Sequence, residues 1–191
     1  MLDIREVTKL KFFILGDTHR KLDKARKVAE KLKGVDMIIH TGDYEEDAYI
    51  LSEELGIPVA VVPGNCDGSI SKDDFTIVEA ECGNILITHG HMQNADYSFD
   101  RLLYLAEEHD CIAVVFGHTH QPVFEEWDGI YLINPGSLSR PRDGSQGSYA
   151  VVTTTDSTFA GSIVYYSSTL FEKEKVKGGF IKDMLNYSDR F

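Results

Sequence analysis

LKFFILGDTH, residues 10–19, is the stretch of sequence that decides the fold. Its first six residues form a short apolar run, which predicts a buried β-strand. Gly16 and Asp17 follow the run directly and predict a loop, because glycine and aspartate favour turns. The stretch therefore predicts a strand whose end presents Asp17 and His19.

The sequence that follows changes from strand-like to helical spacing and back. Apolar residues three or four apart predict an amphipathic helix over residues 21–33, and a second helix is expected over 46–55. Apolar runs predict further strands over 35–40 and 57–62. This alternation predicts a parallel sheet with right-handed crossovers and with its functional loops at the carboxyl ends of the strands.

The second half of the chain is richer in predicted strands. One helix is expected over residues 99–108, and the last four predicted strands have no helix between them, which predicts a second, more antiparallel sheet packed on the first. The whole chain, 1–191, is interpreted as a single domain with a peripheral tail over 171–191. The predicted strands of this half are 75–80, 84–88, 112–116, 123–127, 130–133, 149–154 and 161–166.

Composition limits the classes of function. The net charge of -12 makes the average surface repel long nucleic acids and anionic membranes, so a phosphate-bearing substrate needs a strong local positive centre. The three cysteines form no CxxC pair, and with no secretory leader a cytoplasmic location is expected. Membrane insertion is not expected, because no apolar run approaches ~20 residues. A homo-oligomer is compatible with the sequence.

Five short segments combine glycine with metal-ligating residues. Carboxylate, amide and imidazole ligands suit divalent ions such as Mn²⁺, Fe²⁺, Ni²⁺, Co²⁺ or Zn²⁺, and the absence of thiolate ligands argues against a structural zinc site. Five of the seven histidines lie in these segments, whereas His40 and His109 are interpreted as structural. The segments are Gly16-Asp17-Thr18-His19, Gly42-Asp43, Gly64-Asn65-Cys66-Asp67, His89-Gly90-His91 and Gly117-His118-Thr119-His120.

The ordered motifs GDTH, GD, GNCD, THGH and GHTH resemble those of the calcineurin-like metallophosphoesterase superfamily, and specifically its small bacterial and archaeal phosphodiesterase branch. The resemblance covers residues 11–166. It implies a four-layer α/β/β/α sandwich of two packed mixed β-sheets with flanking helices, and a binuclear metal site at the strand ends. By motif position, one ion would be bound by Asp17, His19 and His120, the other by Asn65, His89 and His118, and both by Asp43.

The same resemblance implies a metal-dependent enzyme that hydrolyses small phosphodiesters by attack of a hydroxide held between two divalent ions. A bridging carboxylate permits such ions to lie ~3.5 to 4 Å apart, and their charge lowers the pKa of bound water towards ~7. The expected cofactor is two divalent ions per chain. Mn²⁺ or Ni²⁺ is expected first, and Fe²⁺, Co²⁺, Zn²⁺ and Mg²⁺ are the alternatives.

The sequence departs from the superfamily pattern after Asn65. Many members carry a histidine there that assists the leaving group, whereas this chain has Cys66, whose neutral thiol is a poor general acid. We therefore consider His91 as the catalytic proton donor, against the alternative that it braces its loop. Asp67 is expected to orient a ligand histidine or to cap the turn.

Arg140 and Arg142 follow the loop Asn134-Pro135-Gly136-Ser137, which resembles a loop of the same branch. Their guanidinium groups are candidates to bind the substrate's phosphate, against the alternative of two solvated loop arginines.

Three other functions remain open at this point. A phosphomonoesterase acting on small phosphorylated metabolites would use the same site. A non-catalytic scaffold is a different class, because the eukaryotic retromer scaffold subunit shares the fold, but its metal site is degraded whereas all seven ligand positions hold suitable residues here. A nuclease is disfavoured by the acidic charge and by the lack of a basic stripe.

Overall fold

The computed structural model describes residues 9–68 and 74–168, so the predicted tail over 171–191 lies outside the described residues. The elements follow one another in an order that agrees with the predicted alternation. They are β1 (Leu10–Leu15), α1 (Asp23–Ala29), β2 (Met37–His40), α2 (Glu45–Leu55), β3 (Val59–Val61), β4 (Phe75–Ala80), β5 (Gly83–Thr88), α3 (Asp100–Glu108), β6 (Cys111–Val115), β7 (Pro122–Trp127), β8 (Ile130–Pro135), β9 (Ser148–Thr154) and β10 (Phe159–Tyr165).

The first sheet has the strand order β10-β9-β1-β2-β3. β1 pairs with β2 and β2 pairs with β3 in parallel, which confirms the parallel arrangement predicted from the strand and helix alternation. The run LKFFIL forms the central strand, and five of its six residues are buried because both faces of the sheet are covered.

The second sheet has the order β4-β5-β6-β8-β7 and was predicted only in part. β5, β6 and β8 are mutually parallel, while β4 and β7 pair antiparallel at the edges. The expectation that the strands over 149–154 and 161–166 belong to this sheet is wrong. β9 instead pairs antiparallel with β1 and with β10, because its buried residues complete the first sheet. Each sheet thus has two parallel and two antiparallel pairs, and neither is the more antiparallel.

Three apolar clusters define the layers. Side chains of β1 and β2, such as Phe12 and Ile39, meet those of β5 and β6 between the sheets. α1 and α2 cover the outer face of the first sheet, and α3 covers the outer face of the second. The four-layer α/β/β/α sandwich is therefore confirmed.

One helix is shorter than its apolar spacing predicts. α1 covers Asp23–Ala29, whereas the helix was expected over residues 21–33. The chain tightens after Ala29, because the amide of Lys31 donates to the carbonyl of Val28, three residues back, at 3.0 Å. In the ranges that the structure describes, no helix is long and apolar enough to span a membrane.

The parallel strands explain where the site lies. β1, β2 and β3 run in one direction within their sheet, and β5, β6 and β8 do the same in theirs. Each of the five ligand-bearing motifs lies at or just beyond the carboxyl end of one of these strands. The fold therefore brings segments separated by 20 to 100 residues in the sequence to one edge of the sandwich.

Candidate metal centre

Four candidate ligands from three loops form a compact buried group. Asp17 and His19 follow β1, Asp43 follows β2, and His120 follows β6. One ligand atom from each of the four lies within 4.8 Å of the others. Two carboxylates and two imidazoles held this closely, away from solvent, form a donor set suited to a divalent cation.

Asp43 lies between this group and a second one. Its Oδ2 is 3.6 Å from Nε2 of His19, and its Oδ1 is 3.4 Å from Nε2 of His89. The two oxygens of one carboxylate thus face histidines of different loops. This is the arrangement that a carboxylate shared by two cations requires.

The second group consists of Asn65, His89 and His118. The side-chain Oδ1 of Asn65 is 3.0 Å from Nε2 of His89 and 3.0 Å from Nδ1 of His118. All seven residues predicted as metal ligands therefore lie around one centre. Their role as ligands stays a prediction, whereas their proximity is a property of the structure.

Hydrogen bonds orient three of the histidines. Nδ1 of His89 donates to the carbonyl of Thr41 at 2.7 Å, and Nδ1 of His120 donates to the carbonyl of Arg140 at 2.7 Å. Because a carbonyl only accepts, the neutral form of each ring directs the lone pair of Nε2 towards the cluster. In His118 the opposite nitrogen, Nε2, contacts Oδ2 of Asp96 at 2.8 Å, which leaves Nδ1 to face Asn65.

Asp96 is a functional candidate that sequence reasoning missed. It lies in the loop between β5 and α3, in none of the glycine-containing motifs, and 22 residues from His118. A carboxylate that accepts the second N–H of a metal-binding histidine fixes the tautomer and the ring orientation. No sequence signal distinguishes Asp96 from other surface aspartates.

The loops that carry the ligands are strained. Asp17, His19, Asp43, His118 and His120 all have positive φ angles, between 47° and 67°, a region that side chains other than glycine rarely adopt. Such strain persists only where surrounding contacts enforce it, and it is typical of functional sites.

Glycines allow these loops to approach one another closely. A Cβ atom at Gly117 would lie 2.5 Å from Oγ1 of Thr41 and 2.9 Å from Oδ2 of Asp17, and one at Gly64 would collide with Asp43. The glycines that precede Asn65 and His118 therefore permit these close contacts between loops.

The electrostatics of the group match a site for cations. Burial raises the pKa of Asp43, but the charge of His89 and the backbone N–H of Cys66 outweigh it and hold this pKa below its usual value. Burial and the Arg140 guanidinium lower the pKa of His19. Burial lowers the pKa of His120, but the neighbouring Asp17 outweighs this and leaves it raised.

One atom of the cluster is left without a hydrogen bond. Oδ1 of Asp17 is buried and makes no hydrogen bond of good geometry among the described residues, with Nε2 of His120 3.4 Å away. An orphaned carboxylate oxygen is costly unless a cation binds it. The donor set and this oxygen together fit a bound divalent metal.

Asp67 connects two of the loops instead of orienting a histidine. Its carboxylate accepts the backbone N–H groups of Tyr44 and Glu45 at 2.9 to 3.0 Å and that of Gly64 at 2.8 Å. It thereby caps the first turn of α2 and holds Asp43 against the loop of Asn65. Of the two roles expected for Asp67, the structure supports capping.

The end of β8 and the loop that follows it support the loops of Asp17 and His118. Oγ of Ser137 and Oγ of Ser139 each donate to the backbone carbonyl of Asp17 at 2.9 Å. The side-chain amide of Asn134 donates to the carbonyl of Gly117 at 2.9 Å. These bonds enforce the positive φ angles of the ligand loops.

The two histidines that were interpreted as structural make local contacts. Nδ1 of His40 accepts the N–H of Gly42 at 3.3 Å, and its Nε2 lies 3.2 Å from Oγ1 of Thr18, which itself donates to Asp47 at 2.6 Å. Burial lowers the pKa of His40 to about 4, so this ring is neutral near pH 7. The ring of His109, directly after α3, lies 4.6 Å from that of Phe75.

A cavity of about 460 Å³ opens above the cluster. Both Arg140 and Arg142 line it, as the sequence-based prediction of a phosphate-binding role requires. The described lining consists of His19, Asp43, Asn65, Cys66, His118, His120, Arg140, Pro141 and Arg142.

The remaining predicted site residues, Cys66 and His91, differ in position. Cys66 is an exposed residue that lines the cavity. Partial burial of its thiol and the nearby carboxylate of Asp43 together raise the pKa of the thiol to about 11. His91 is half-buried behind the ligands, with its ring 5.1 Å from that of His89 and 6.1 Å from that of His118. It does not contribute to the described lining, and its role as proton donor stays a prediction.

The layered fold and the mixed carboxylate, amide and imidazole cluster at its strand ends define the class of metallohydrolases. The profile of the calcineurin-like phosphoesterase superfamily domain matches residues 10–157. The chain therefore belongs to the calcineurin-like phosphoesterase superfamily.

Two curated relatives support this membership. A probable metallophosphoesterase of Bacillus subtilis (strain 168) is 35% identical over 141 residues, which cover 73% of this chain and 82% of the relative. A phosphodiesterase of Methanocaldococcus jannaschii is 34% identical over 145 residues, which cover 66% of this chain and 83% of the relative.

Two solved structures have the same fold. A predicted phosphoesterase from Streptococcus pneumoniae TIGR4 superposes with a TM-score of 0.70 at 29% identity, covering 84% of this chain and 91% of its own. Vacuolar protein sorting 29 from Cryptosporidium parvum superposes with a TM-score of 0.65 at 17% identity, covering 83% of this chain and 98% of its own. At that identity the second likeness concerns the fold alone.

Proposed function

We propose that the chain is a phosphodiesterase that acts on small phosphodiesters with two divalent metal ions. The observation that carries the proposal is the position of Asp43, whose two oxygens lie 3.6 Å and 3.4 Å from histidines of two separate groups. Asp17, His19 and His120 would hold one ion with Asp43. Asn65, His89 and His118 would hold the other.

When bound, the two ions supply a nucleophilic hydroxide near neutral pH and positive charge for the phosphate oxygens. The chain's own residues prepare the centre for this chemistry. The bonds from His89 to Thr41 and from His120 to Arg140 hold each ring with one nitrogen facing the centre. Because the loops are held by Asp67, Ser137 and Asn134, little reorganisation is needed when cations and substrate bind.

The leaving group receives little help from Cys66. Its thiol faces the cavity, but a neutral thiol is a poor general acid, and in the metal-free protein burial and Asp43 raise its pKa to about 11. We therefore expect the enzyme to favour diesters whose leaving groups are stable as anions, such as aryloxides. An alkyl diester would depend on a proton donor such as His91.

The diester preference draws on the M. jannaschii relative, a phosphodiesterase, and on the charge of the site. The two ions with the two carboxylates leave a small positive excess that suits the single negative charge of a diester. A scaffold role is less consistent with the site, because all seven predicted ligand positions hold suitable residues, and hydrogen bonds orient three of the histidines.

Paired substrates test the proposal. We expect initial rates with bis(p-nitrophenyl) phosphate to exceed those with p-nitrophenyl phosphate. We also expect the rate of diester hydrolysis to be higher with Mn²⁺ or Ni²⁺ than with Mg²⁺. Asp43→Asn should reduce the rate by at least ~100-fold while circular dichroism stays unchanged. Faster hydrolysis of the monoester would support the phosphomonoesterase alternative. Protein that binds two ions and hydrolyses neither substrate would support the scaffold alternative.

A further inference from the structure

Two arginines in the cavity have no acidic partner. Arg140 and Arg142 are exposed and line the cavity, and neither side chain makes a hydrogen bond or ion pair with any residue that the structure describes. The chain has 31 acidic and 19 basic residues, so partners are abundant elsewhere. Arg26, for comparison, pairs with Glu54 at 2.7 Å. Two unpaired guanidinium groups that face one cavity of an acidic protein indicate a site for an anion.

The backbone of these arginines is fixed to a predicted metal ligand. His120 donates from Nδ1 to the carbonyl of Arg140 at 2.7 Å, and the amide of Arg142 donates to the carbonyl of His120 at 3.1 Å. The amide of Arg140 also donates to Oγ of Ser137 at 2.9 Å, and Pro141 restricts the residue between the arginines. The guanidinium groups are thus presented beside the metal centre from a prepared loop.

The nearest acidic residue in the sequence is engaged elsewhere. The carboxylate of Asp143 accepts hydrogen bonds from the amide of Ser145 at 3.1 Å and from its Oγ at 2.7 Å. It therefore closes its own turn. Asp143 therefore makes no ion pair with either arginine of the cavity lining.

The positive charge of the arginines exceeds what a simple diester requires. A pair of divalent cations carries four positive charges, and the carboxylates of Asp17 and Asp43 take up two. A phosphodiester and an anionic nucleophile take up the other two. The charges of Arg140 and Arg142 then remain, and together they match a dianionic group such as a phosphate monoester.

Polar and titratable residues make up most of the cavity lining. Among the described lining residues, Pro141 is the one apolar side chain, while the others are polar or titratable. Charge is therefore a property by which this cavity can distinguish one diester from another.

From these observations, and resting on the proposed function, we propose that the physiological substrate is a phosphodiester that carries a second, dianionic phosphate, which Arg140 and Arg142 bind while the diester lies at the metal centre. The second phosphate remains attached and is not hydrolysed. The inference deepens the proposed function by naming the class of substrate.

Two aryl diesters that differ only in the second phosphate test the proposal. These are the 5′-(p-nitrophenyl phosphate) of thymidine and the same compound with a 3′-phosphate, which share the scissile bond and the leaving group. With Mn²⁺-loaded enzyme we expect kcat/KM to be at least ~10-fold higher for the compound with the 3′-phosphate. The double variant Arg140→Ala/Arg142→Ala should reduce the ratio of kcat/KM between the two compounds to about 1.

Arg101→Ala provides a matched control, because Arg101 is an exposed arginine on α3 outside the cavity lining. It should keep the wild-type preference. Equal kcat/KM for the two compounds in the wild type would overturn the substrate class while leaving the phosphodiesterase in place. An equal loss for both compounds in the double variant would also overturn it, because the arginines would then act on the scissile phosphate.

Binding without turnover separates the two proposals. In metal-free protein, ³¹P NMR titration with thymidine 3′-phosphate, a dianion, and with its methyl ester, a monoanionic diester, measures affinity independently of hydrolysis. We expect the dianionic 3′-phosphate to bind at least ~5-fold more tightly, and the double variant to lose the difference. If neither diester is hydrolysed, the phosphodiesterase fails, and this comparison still decides the arginine site. Equal affinities in the wild type would overturn the site.

Discussion

At the residue scale, the carboxylate of Asp43 and the rings around it define what the centre can bind. Asp43 is 3% exposed, and its oxygens face histidines from the β1 and β5 loops. The histidine rings are in turn held by carbonyls of Thr41 and Arg140 and by the carboxylate of Asp96. The protein's own contacts therefore hold these candidate ligands in position.

Replacement of Asp96 tests whether the groups that hold the histidine rings contribute to metal affinity. In the wild type, Nε2 of His118 lies 2.8 Å from the carboxylate of Asp96. Asp96→Asn removes this charged acceptor, so the ring is less firmly held with Nδ1 towards Asn65. We expect the weaker of two Mn²⁺ affinities, measured by isothermal titration calorimetry, to fall by about 10- to 100-fold. Asp128→Asn, at an exposed turn remote from the site, is the control. Unchanged affinity in Asp96→Asn would show that this contact does not support metal binding.

The thiol of Cys66 gives a second prediction at this scale. Because burial and Asp43 raise its pKa to about 11, metal-free protein should present a neutral thiol up to about pH 10. The rate of alkylation of Cys66 by iodoacetamide, followed by peptide mass spectrometry, should still rise between pH 9 and pH 11. At pH 8 it should be about 100-fold below that of a cysteine with the ordinary pKa of 9.0. A rate that levels off by pH 9 would contradict the raised pKa.

At the scale of elements, the predicted strands and the predicted site both followed from the buried apolar runs of the sequence. A buried apolar run is readily recognised as a strand, and the carboxyl ends of parallel strands meet at one edge, so the motifs after β1, β2, β3, β5 and β6 could be placed together from the sequence. The membership of β9 and β10 could not be predicted, because the alternation of residues shows that a strand exists but not which strand it pairs with.

Other details depend on contacts that local sequence does not specify. The early end of α1 follows from a tight turn at Lys31, although the apolar spacing continues beyond it. Asp96 reaches His118 across 22 residues, without a motif of its own. The sequence therefore predicts which residues form the centre better than it predicts which residues support it.

Asp67 offers a test at the scale of elements, because it joins the start of α2 to the loop after β3. In Asp67→Ala the N–H groups of Tyr44, Glu45 and Gly64 lose their acceptor. We expect the free energy of unfolding in urea to fall by about 1 to 3 kcal/mol. Asp23→Ala is the control, because Asp23 lies in the first turn of α1 and should cost less than ~0.5 kcal/mol. Equal effects of the two substitutions would contradict the connecting role of Asp67.

At the scale of the whole molecule, the buried His40 makes stability depend on pH. Desolvation lowers its folded-state pKa from 6.5 to about 4, although Asp17 and Asp47 act in the opposite direction. As the pH falls from 6.5 towards 4, the unfolded chain binds a proton at His40 that the folded chain does not. The free energy of unfolding should therefore decrease over this window, by up to ~3 kcal/mol.

His40→Gln isolates this effect from those of the other histidines. The variant should be less stable than the wild type at pH 7, because the buried hydrogen bonds of His40 are altered. The difference between variant and wild type should shrink as the pH falls from 6.5 to 4, as measured by urea unfolding of metal-free protein. A difference that stays constant across this window would contradict the lowered pKa of His40.

The most direct test of the binuclear phosphodiesterase is a titration of metal-free protein with Mn²⁺, in which the number of bound ions and the rate of bis(p-nitrophenyl) phosphate hydrolysis are measured on the same samples. Two ions should bind per chain, and turnover should appear with the second ion, because Asp43 faces both groups of ligands. Full turnover with one bound ion, or no turnover with two, would contradict this function.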